Sequence, residues 1–492
     1  MMYEKKRLHP VTIIFNMLKP IKNNWYFVIP MFLALDFLYF FLILIGVLLL
    51  DFLYGFLAWH RFSYYVTEEA LQLEYGIFKR TKRSISKNRI QAIDLTETVL
   101  HRLFKLAQVK IETASSGFEA EASLTAVTLD EGEQIRNILK RQPIRTEITT
   151  DVLEPTYPVQ KITMERLILA GLTSGGAGMI LALLFAAALE MEEFISEEIY
   201  EYTFQWITST SFAFIALIGA AVLIIVWAAS VLWNIIRYGN FTIKRQDDEL
   251  LIARGILERK QMTIPIQRIQ AIVIEENILR QPFGYATIIA EVAGGDLNDT
   301  TDNSIILFPI LHKREIQEFL LIFIEEFAWE EDGDWTKAKR IAIPFYLFRS
   351  SFWFLLAGIL VFFIFPTFVW IPSTLLVLAL VRGWLCYKDA GFHIDGNRLT
   401  IRYRFISRMT VRLYHKRIQA YRKKQNPLQR KAKLATFEVS ILSNLGGRHM
   451  HVNDMEEDKI DRLSDSFSHR KIGQSGTDNH DNFTSTGENE CL

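Results

Sequence analysis

The sequence is poor in cysteine and lacks the short motifs of common catalytic and metal sites. Its 492 residues include two cysteines, Cys386 and Cys491, which form no CxxC pair, so a disulfide framework and a zinc site are both disfavoured. The HExxH, GxSxG and Walker patterns are missing, and His449 and His451 have no nearby third ligand in the sequence. We therefore predict that the chain is not an enzyme and uses no cofactor and no metal.

Lysine and arginine are missing from long apolar stretches, although the whole chain has 55 basic and 55 acidic residues. Residues 167–236 contain neither, and the acidic loop EMEEFISEEIYEY divides them into two apolar segments. Residues 350–381 contain no charged residue, and FPTFVWIP supplies a turn in the middle. A bilayer crossing takes about 20 apolar residues, so these patterns predict transmembrane hairpins at residues 163–236 and 341–385.

A further apolar segment at residues 23–60 favours a hairpin with Asp36 near its outer turn and Asp51 inside the returning helix. One long tilted helix is the alternative. A charge in lipid is costly, so a proton or cation role is one hypothesis for the intramembrane acid Asp51. Basic residues flank the inner ends of all three segments, which predicts a multi-pass membrane protein with both termini cytoplasmic.

The segments between the hairpins repeat one another. RIQAI begins at Arg89 and again at Arg268, and RIQAY begins at Arg417, each after a strand-like segment and a basic stretch. Gly76 and Gly255 each precede the motif by 13 residues, whereas the third copy has Arg404 there, so its turn is expected to differ. After each motif come a turn, an alternating strand and a charged amphipathic helix, which indicates duplication of one β-rich unit.

The predicted organisation therefore alternates membrane and β-rich parts. Its boundaries are a cytoplasmic N-terminus at 1–22, hairpin 1 at 23–60, β-rich domain 1 at 61–150, hairpin 2 at 163–236, domain 2 at 237–330, hairpin 3 at 341–385, domain 3 at 386–465 and a disordered tail at 466–492.

Together with the opening KRLHP, this arrangement resembles the YdbT-like family of bacterial membrane proteins with tandem bacterial pleckstrin-homology (PH) domains of the bPH2 type. The likeness covers about residues 1–465. It implies an α+β multi-pass protein of a bacterial cell membrane, in which three transmembrane helical hairpins alternate with three PH-like small β-barrels, each closed by a C-terminal helix. It implies no enzyme activity, and some relatives accompany resistance to membrane-active bacteriocins.

Two sets of polar residues are candidate sites. In the repeated motif, Arg and Gln are expected on one face of a strand, as a ligand site or, by the favoured interpretation, as structural contacts; they are Arg89, Gln91, Arg268, Gln270, Arg417 and Gln419. Thirteen basic residues and no acid lie from Arg398 to Lys433, which favours contact with anionic lipid headgroups; a solvated basic face is the alternative. The predicted lipid-facing patch consists of Arg402, Arg404, Arg408, Arg412, Lys416, Arg422, Lys423 and Lys424.

Two classes of function fit these patterns. The favoured one is a non-enzymatic membrane scaffold or envelope-protection component, with bacteriocin resistance as one form, acting through lipid and protein contacts. Its expected partners are anionic headgroups and a second copy or a smaller PH-domain membrane protein, and no nucleic acid. The alternative is a transport or export component with a pathway among six spans. The sequence does not identify the ligand, the partner or any transported substrate.

Overall fold

The computed structural model describes residues 5–18, 20, 31–32, 36–67, 69–113, 122–140, 157–176, 178, 180–182, 201–202, 205–206, 211–293, 304–329, 335–442 and 448–464. The chain divides into two compact units. Unit 1 consists of Met1–Arg268 and Gly294–Asp302, and unit 2 consists of Ile269–Ala293 and Asn303–Leu492. The predicted tail at 466–492 lies outside the described residues.

The first repeat follows helix α1, Phe37–Arg61. Its elements are β1 Ser63–Val66, β2 Ala70–Tyr75, β3 Thr81–Ser86, a 3-10 turn Lys87–Arg89, β4 Ile90–Glu97, α2 Val99–Leu103, β5 Leu106–Thr113, β6 Ala122–Thr128 and α3 Leu129–Lys140.

After its membrane helix α5 the second repeat has the same order of strands, with a 3-10 turn in place of α2, and it begins with the additional elements β7 and α4. Its elements are β7 Val159–Lys161, α4 Met164–Leu172, α5 Phe212–Tyr238, β8 Thr242–Gln246, β9 Glu249–Arg254, β10 Arg259–Pro265, a 3-10 turn Ile266–Arg268, β11 Ile269–Glu276, a 3-10 turn Gln281–Phe283, β12 Tyr285–Val292, β13 Ser304–His312 and α6 Lys313–Phe323.

The third repeat completes the described chain. Its elements are β14 Thr336–Lys337, α7 Ile343–Ile364, α8 Trp370–Asp389, β15 Gly391–Asp395, β16 Arg398–Arg404, β17 Arg408–Tyr414, a 3-10 turn His415–Arg417, β18 Ile418–Lys424, α9 Pro427–Lys431, β19 Leu434–Ile441 and β20 Arg448–Glu456. Residues 457–464 are helical.

Four helices within the described residues are long and apolar enough to cross a membrane. They are Phe37–Arg61, Ala216–Tyr238, Arg340–Ile364 and Pro366–Asp389. The last two contain α7 and α8, which are connected through the three-residue 3-10 turn Pro366–Phe368 and pack against each other as a helical hairpin. Asp36 precedes α1 and the half-buried Asp51 lies within it. Most of the preceding limb of hairpin 1 and of the outer loop of hairpin 2 lie outside the described residues.

Small residues let neighbouring apolar helices approach closely. An added Cβ at Gly171 of α4 would stand 3.1 Å from Val231 Cγ1 of α5. An added Cβ at Gly383 of α8 would stand 2.9 Å from the backbone oxygen of Tyr346 in α7. Backbone contact of this kind is how helices associate in lipid, where apolar side chains gain little by pairing with each other.

Successive repeats share their sheets, which corrects the expectation of one closed barrel per repeat. Within unit 1, a seven-stranded sheet runs β6-β5-β4-β10-β9-β8-β7, so β10 of repeat 2 pairs with β4 of repeat 1. Within unit 2, a second seven-stranded sheet runs β13-β12-β11-β17-β16-β15-β14. The remaining sheets, β1-β2-β3 and β18-β19-β20, have three strands each, and no described sheet closes into a barrel.

Each unit has its own apolar core, formed by the inward residues of strands that alternate in burial. In unit 1, Leu71, Ile93 and Leu124 are among its fully buried members. Leu8, from the opening KRLHP, belongs to the same core, and its carbonyl accepts a hydrogen bond from Trp59 Nε1 at 2.7 Å. In unit 2, strands from repeats 2 and 3 enclose one core that includes Val273 and Phe437.

Candidate membrane-contact site

Each repeat has a β-hairpin whose tip exposes apolar side chains beside basic ones. The tips join β2 to β3, β9 to β10 and β16 to β17. Their exposed apolar residues are Phe78, Ile256, Leu257, Phe405 and Ile406, and Phe78 is 100% exposed. We call these residues the tip residues. Exposed aromatic and branched side chains next to Lys and Arg are typical of protein surfaces that enter the headgroup region of a bilayer.

A strained backbone position shapes the first two tips. Gly76 has φ +112° and Gly255 has φ +104°. A Cβ would stand 2.0 Å from the Lys79 oxygen at Gly76, and 1.9 Å from the Glu258 oxygen at Gly255. Only glycine fits such a position without strain. At Arg404 the third repeat has no positive φ, so this turn differs as its sequence indicated.

Two of the tips lie against the ends of membrane helices. The backbone N–H of Ile256 donates to the oxygen of Ile236 in α5 at 2.9 Å. Arg382 of α8 donates from Nε to the oxygen of Phe405 at 2.8 Å, and its guanidinium lies 5.0 Å from the centre of the Phe405 ring. Basic residues at the end of an apolar helix mark the membrane surface. Each of these two tips therefore contacts the basic end of an apolar helix of its own unit.

A second set of exposed apolar residues comes just after the C-terminal ends of β4, β11 and β18. They are Val99, Leu100, Leu103 and Phe104 in repeat 1, Ile278, Leu279 and Phe283 in repeat 2, and Leu428 in repeat 3. In unit 1, a cavity of about 450 Å³ brings Val99 and Leu100 together with Leu257 and with Trp233 of α5. The two sets of apolar residues thus meet at the end of a membrane helix.

The corresponding cavity of unit 2 has a volume of about 580 Å³. It lies between α7, which contributes Phe352, Trp353 and Arg349, and Leu428 of α9. One wall is fixed by Asp454, a fully buried carboxylate that accepts hydrogen bonds from Arg349 Nη2 at 2.7 Å and from Gln429 Nε2 at 2.5 Å. A cation beside an apolar groove at a helix end is suited to a lipid headgroup and its acyl chain.

The arginines of the repeated motif end 3-10 turns rather than lying on strands, which corrects the expected placement. Arg268 is 3.5 Å from Glu112 of repeat 1, and Arg417 is 2.6 Å from Glu326 of repeat 2. Arg89, in the first repeat, is exposed. In repeats 2 and 3 the motif arginine therefore contacts an acid of the preceding repeat, which favours the structural interpretation.

The motif glutamines share a different feature. The ladder of β4 with β5 shifts register between Ile90 and Ala92, and the ladders of β11 and β18 shift at the same place. Gln91, Gln270 and Gln419 are the extra residues of these bulges, a feature that the alternation of the sequence did not show.

The predicted basic patch does not form one exposed surface. Arg404 and Arg412 are 8% and 6% exposed, so both are removed from it. Arg404 donates to Asp389 at 2.5 Å, and Arg412 donates to the oxygen of Phe327 at 3.3 Å. A long stretch without acids indicated one exposed basic surface, but acids from distant parts of the sequence contact its basic residues in the fold.

The other members of the patch also have partners within unit 2. Four of them form ion pairs: Arg408 with Glu276, Lys416 with Glu326, Lys423 with Glu457 and Asp461, and Lys424 with Glu438. Arg402 lies over the ring of Trp335. The remaining member, Arg422, is exposed. The hydrogen bond from Lys424 holds the pKa of the Glu438 carboxyl below its usual range. Burial by itself would lower the pKa of Lys423, but the carboxylates of Asp461 and Glu457 outweigh this effect and raise that pKa.

No cluster of three or more His, Cys, Asp or Glu side chains that could hold a metal occurs in the described part of the chain. His449 lies 3.1 Å from Glu438, and His451 stacks on Tyr403. The tip residues were missed by reasoning from the sequence. The repeated words GIFKR, GILER and RFISR were the available signal, because each places apolar residues between a strand and a basic residue.

Membrane helices followed by repeated β-meanders with apolar, basic tips define a membrane-anchored repeat protein with PH-like sheets. The family model described as Bacterial PH domain matches residues 26–143, 202–324 and 342–471, and the chain belongs to this family. It is similar to the UPF0699 transmembrane protein YdbT of Bacillus subtilis (strain 168), with 33% identity over 495 residues, 96% of this chain and 99% of that protein. The prediction of a bPH2-type membrane protein is confirmed.

Proposed function

We propose that this chain is a non-enzymatic scaffold of the bacterial cell membrane, with its PH-like sheets held against the cytoplasmic surface by lipid contacts. The observation that carries the proposal is the position of the tip residues: Ile256 and Phe405 contact the ends of membrane helices, and apolar neighbours project beside them. Six spans in three hairpins, with both termini cytoplasmic, would place all three tips on the same side of the membrane.

The lipid contact has two physical contributions. Full burial of a Phe or Leu side chain is worth about 1.5–3 kcal/mol, so partial insertion of several tips is sufficient for a lasting contact. Basic residues add about 1 kcal/mol each beside anionic lipids. Lys79, Arg80, Lys82 and Arg83 follow Phe78 closely, and all four are exposed. Of the predicted patch, Arg422 keeps this role as part of the proposal.

A scaffold of this kind has no need of a catalytic centre. Its work is to hold lipid and protein partners at the membrane, and envelope protection is the proposed benefit to the cell. Protein partners would bind the parts of the sheets that the repeats themselves leave exposed.

The test measures how close individual side chains come to lipid. The fluorophore NBD is attached to a cysteine at Phe78→Cys, Leu257→Cys or Phe405→Cys in the full chain, reconstituted in nanodiscs that contain phosphatidylglycerol. Matched probes at Asp248→Cys and Asn397→Cys lie at the opposite ends of strands β9 and β16. Spin-labelled lipids should quench the three tip probes and leave the two matched probes bright.

The native cysteines do not complicate the labelling, because Cys386 is buried and Cys491→Ser removes the other. Equal quenching at tips and matched sites, or quenching at neither, would show that the tips are not at the bilayer and would overturn the proposal.

A further inference from the structure

The two junctions between repeats follow one rule. We call β3, β10 and β17 the incoming strands and β4, β11 and β18 the outgoing strands. At both junctions an incoming strand pairs with the outgoing strand of the preceding repeat, β10 with β4 and β17 with β11. The register is the same each time, with Arg259 opposite Glu97 and Arg408 opposite Glu276.

Among the described residues, no repeat comes before the first incoming strand. β3 is the end strand of its three-stranded sheet, and all of its residues except Ile85 are exposed. Arg80 lies just before β3 and corresponds to Arg259 and Arg408 of the other repeats. Each of these arginines comes four residues after the tip position that is Gly76, Gly255 or Arg404. The side chain of Arg80 is 62% exposed. An edge of this kind can accept a further strand through its backbone groups.

A second contact of the junction is also prepared in repeat 1. Arg268 and Arg417 each meet an acid of the preceding repeat, Glu112 and Glu326. Arg89 holds the same place in the motif and is exposed. Repeat 1 thus presents both arginines that repeats 2 and 3 use toward their predecessors.

The chain's own last outgoing strand is a poor match for this edge. Gln425 follows β18 where Glu97 and Glu276 end β4 and β11, so the carboxylate is lost. The shared register would also place Lys423 opposite Lys82, and Arg422 opposite Arg83. Like charges directly opposite each other destabilise a strand pair. A second copy of this chain is therefore disfavoured as the occupant.

We infer that the exposed edge of β3 is a docking site for an extended strand of a different protein chain, which carries a carboxylate opposite Arg80 as Glu276 stands opposite Arg408. This docking edge rests on the proposed scaffold function, because it specifies how one protein partner is held. Arg80 lies 2.5 Å from Glu74, but its side chain is 62% exposed, so it can bind a second carboxylate as well. Arg408 likewise serves both Glu276 at 2.5 Å and Asp389 at 3.7 Å.

The test uses the full chain in detergent micelles without lipid. The probe is a fluorescein-labelled peptide with the sequence of residues 269–280, IQAIVIEENILR, which is the chain's own outgoing strand β11 with Glu276. Fluorescence anisotropy should show saturable binding. Arg80→Glu should weaken it about three- to tenfold, since a cross-strand attraction becomes a repulsion. The matched reversal Arg422→Glu, on the other edge strand, should leave it unchanged.

Charge exchange separates a specific strand contact from general attraction. A peptide with Glu276→Arg should bind the Arg80→Glu variant better than it binds the unaltered chain, and circular dichroism checks that both variants are folded. Equal loss with Arg422→Glu, no rescue by the exchanged peptide, or no binding at all would overturn the docking edge. So would an edge that binds phosphatidylglycerol vesicles through Arg80 and never the peptide. Each of these results leaves quenching of the tip probes by lipid, and with it the proposed function, unaffected.

Discussion

Replacing Glu276 with glutamine should loosen the junction between repeats 2 and 3. This carboxylate is 4% exposed and sits where β11 pairs with β17. It accepts Arg408 Nε at 3.0 Å and Arg408 Nη2 at 2.5 Å, and Lys313 Nζ lies 2.5 Å away. Glutamine keeps the shape but removes the charge, so two cations would face each other across a neutral amide.

The magnitude follows from how far the partners are buried. A hydrogen bond to a charged group contributes about 1.5–3 kcal/mol. The side chains of Arg408 and Lys313 are 23% and 39% exposed, so water replaces part of what is lost. One amide oxygen also remains to accept a bond from Arg408. We therefore expect a net loss of about 2 kcal/mol in the free energy of unfolding, less than for removal of one partner of a fully buried pair.

Thermal unfolding of the purified full chain in detergent measures the effect. A loss of about 2 kcal/mol corresponds to a fall in Tm of about 4–8 °C for a unit of this size. The matched control is Glu275→Gln, the same chemical change one residue earlier in β11, which should lower Tm by less than half as much. Equal shifts for the two variants would show that the carboxylate of Glu276 does not hold the junction.

Three further changes test other parts of the structure. Gly255→Ala should cost about 1–2 kcal/mol or more, because its φ is +104° and the new Cβ meets the Glu258 oxygen, whereas Gly46→Ala in α1 meets nothing and should not lower Tm. Hydrogen bonds from Lys5 and Arg80 lower the pKa of Glu74 to about 2. Its contribution is therefore full above the ordinary carboxyl pKa of about 4.5 and is lost as the pH falls toward 2. Denaturation of Glu74→Gln should accordingly differ from that of the unaltered chain at pH 7 and converge with it near pH 2; a constant difference would contradict this. Asp454→Ala should lower Tm more than Asp454→Asn, because asparagine keeps an acceptor and tolerates the positive φ of 54°.

The internal repetition could be predicted because duplication left the same words at matched positions. RIQA, the glycine 13 residues before it and the apolar segments need no knowledge of distant contacts. Strand exchange between repeats could not be predicted in the same way. Alternation along β4, β11 or β18 shows which side chains point inward, but it is the same whether the neighbouring strand comes from the same repeat or the next one.

The basic patch was misjudged for a related reason. The stretch from Arg398 to Lys433 contains no acid, and the local sequence therefore indicated an exposed basic surface that contacts lipid headgroups. Its counter-ions come from far away along the chain, such as Glu276 for Arg408 and Glu326 for Arg417. The tip residues were missed because two apolar residues in a turn are common on protein surfaces, and only their contact with helix ends gives them meaning.

Because successive repeats share their sheets, the order of synthesis determines when each sheet can be completed. When β11, β12 and β13 leave the ribosome, the strand that pairs with β11 has not been made, because β17 lies beyond two membrane helices. At bacterial elongation rates the wait is on the order of ten seconds, during which the nascent chain carries an open strand edge while α7 and α8 are inserted. The sheet of the second unit can therefore be completed only after the third hairpin has been synthesised and inserted. Slow synthesis or late membrane insertion of that hairpin would prolong the exposure and favour aggregation before the chain is finished.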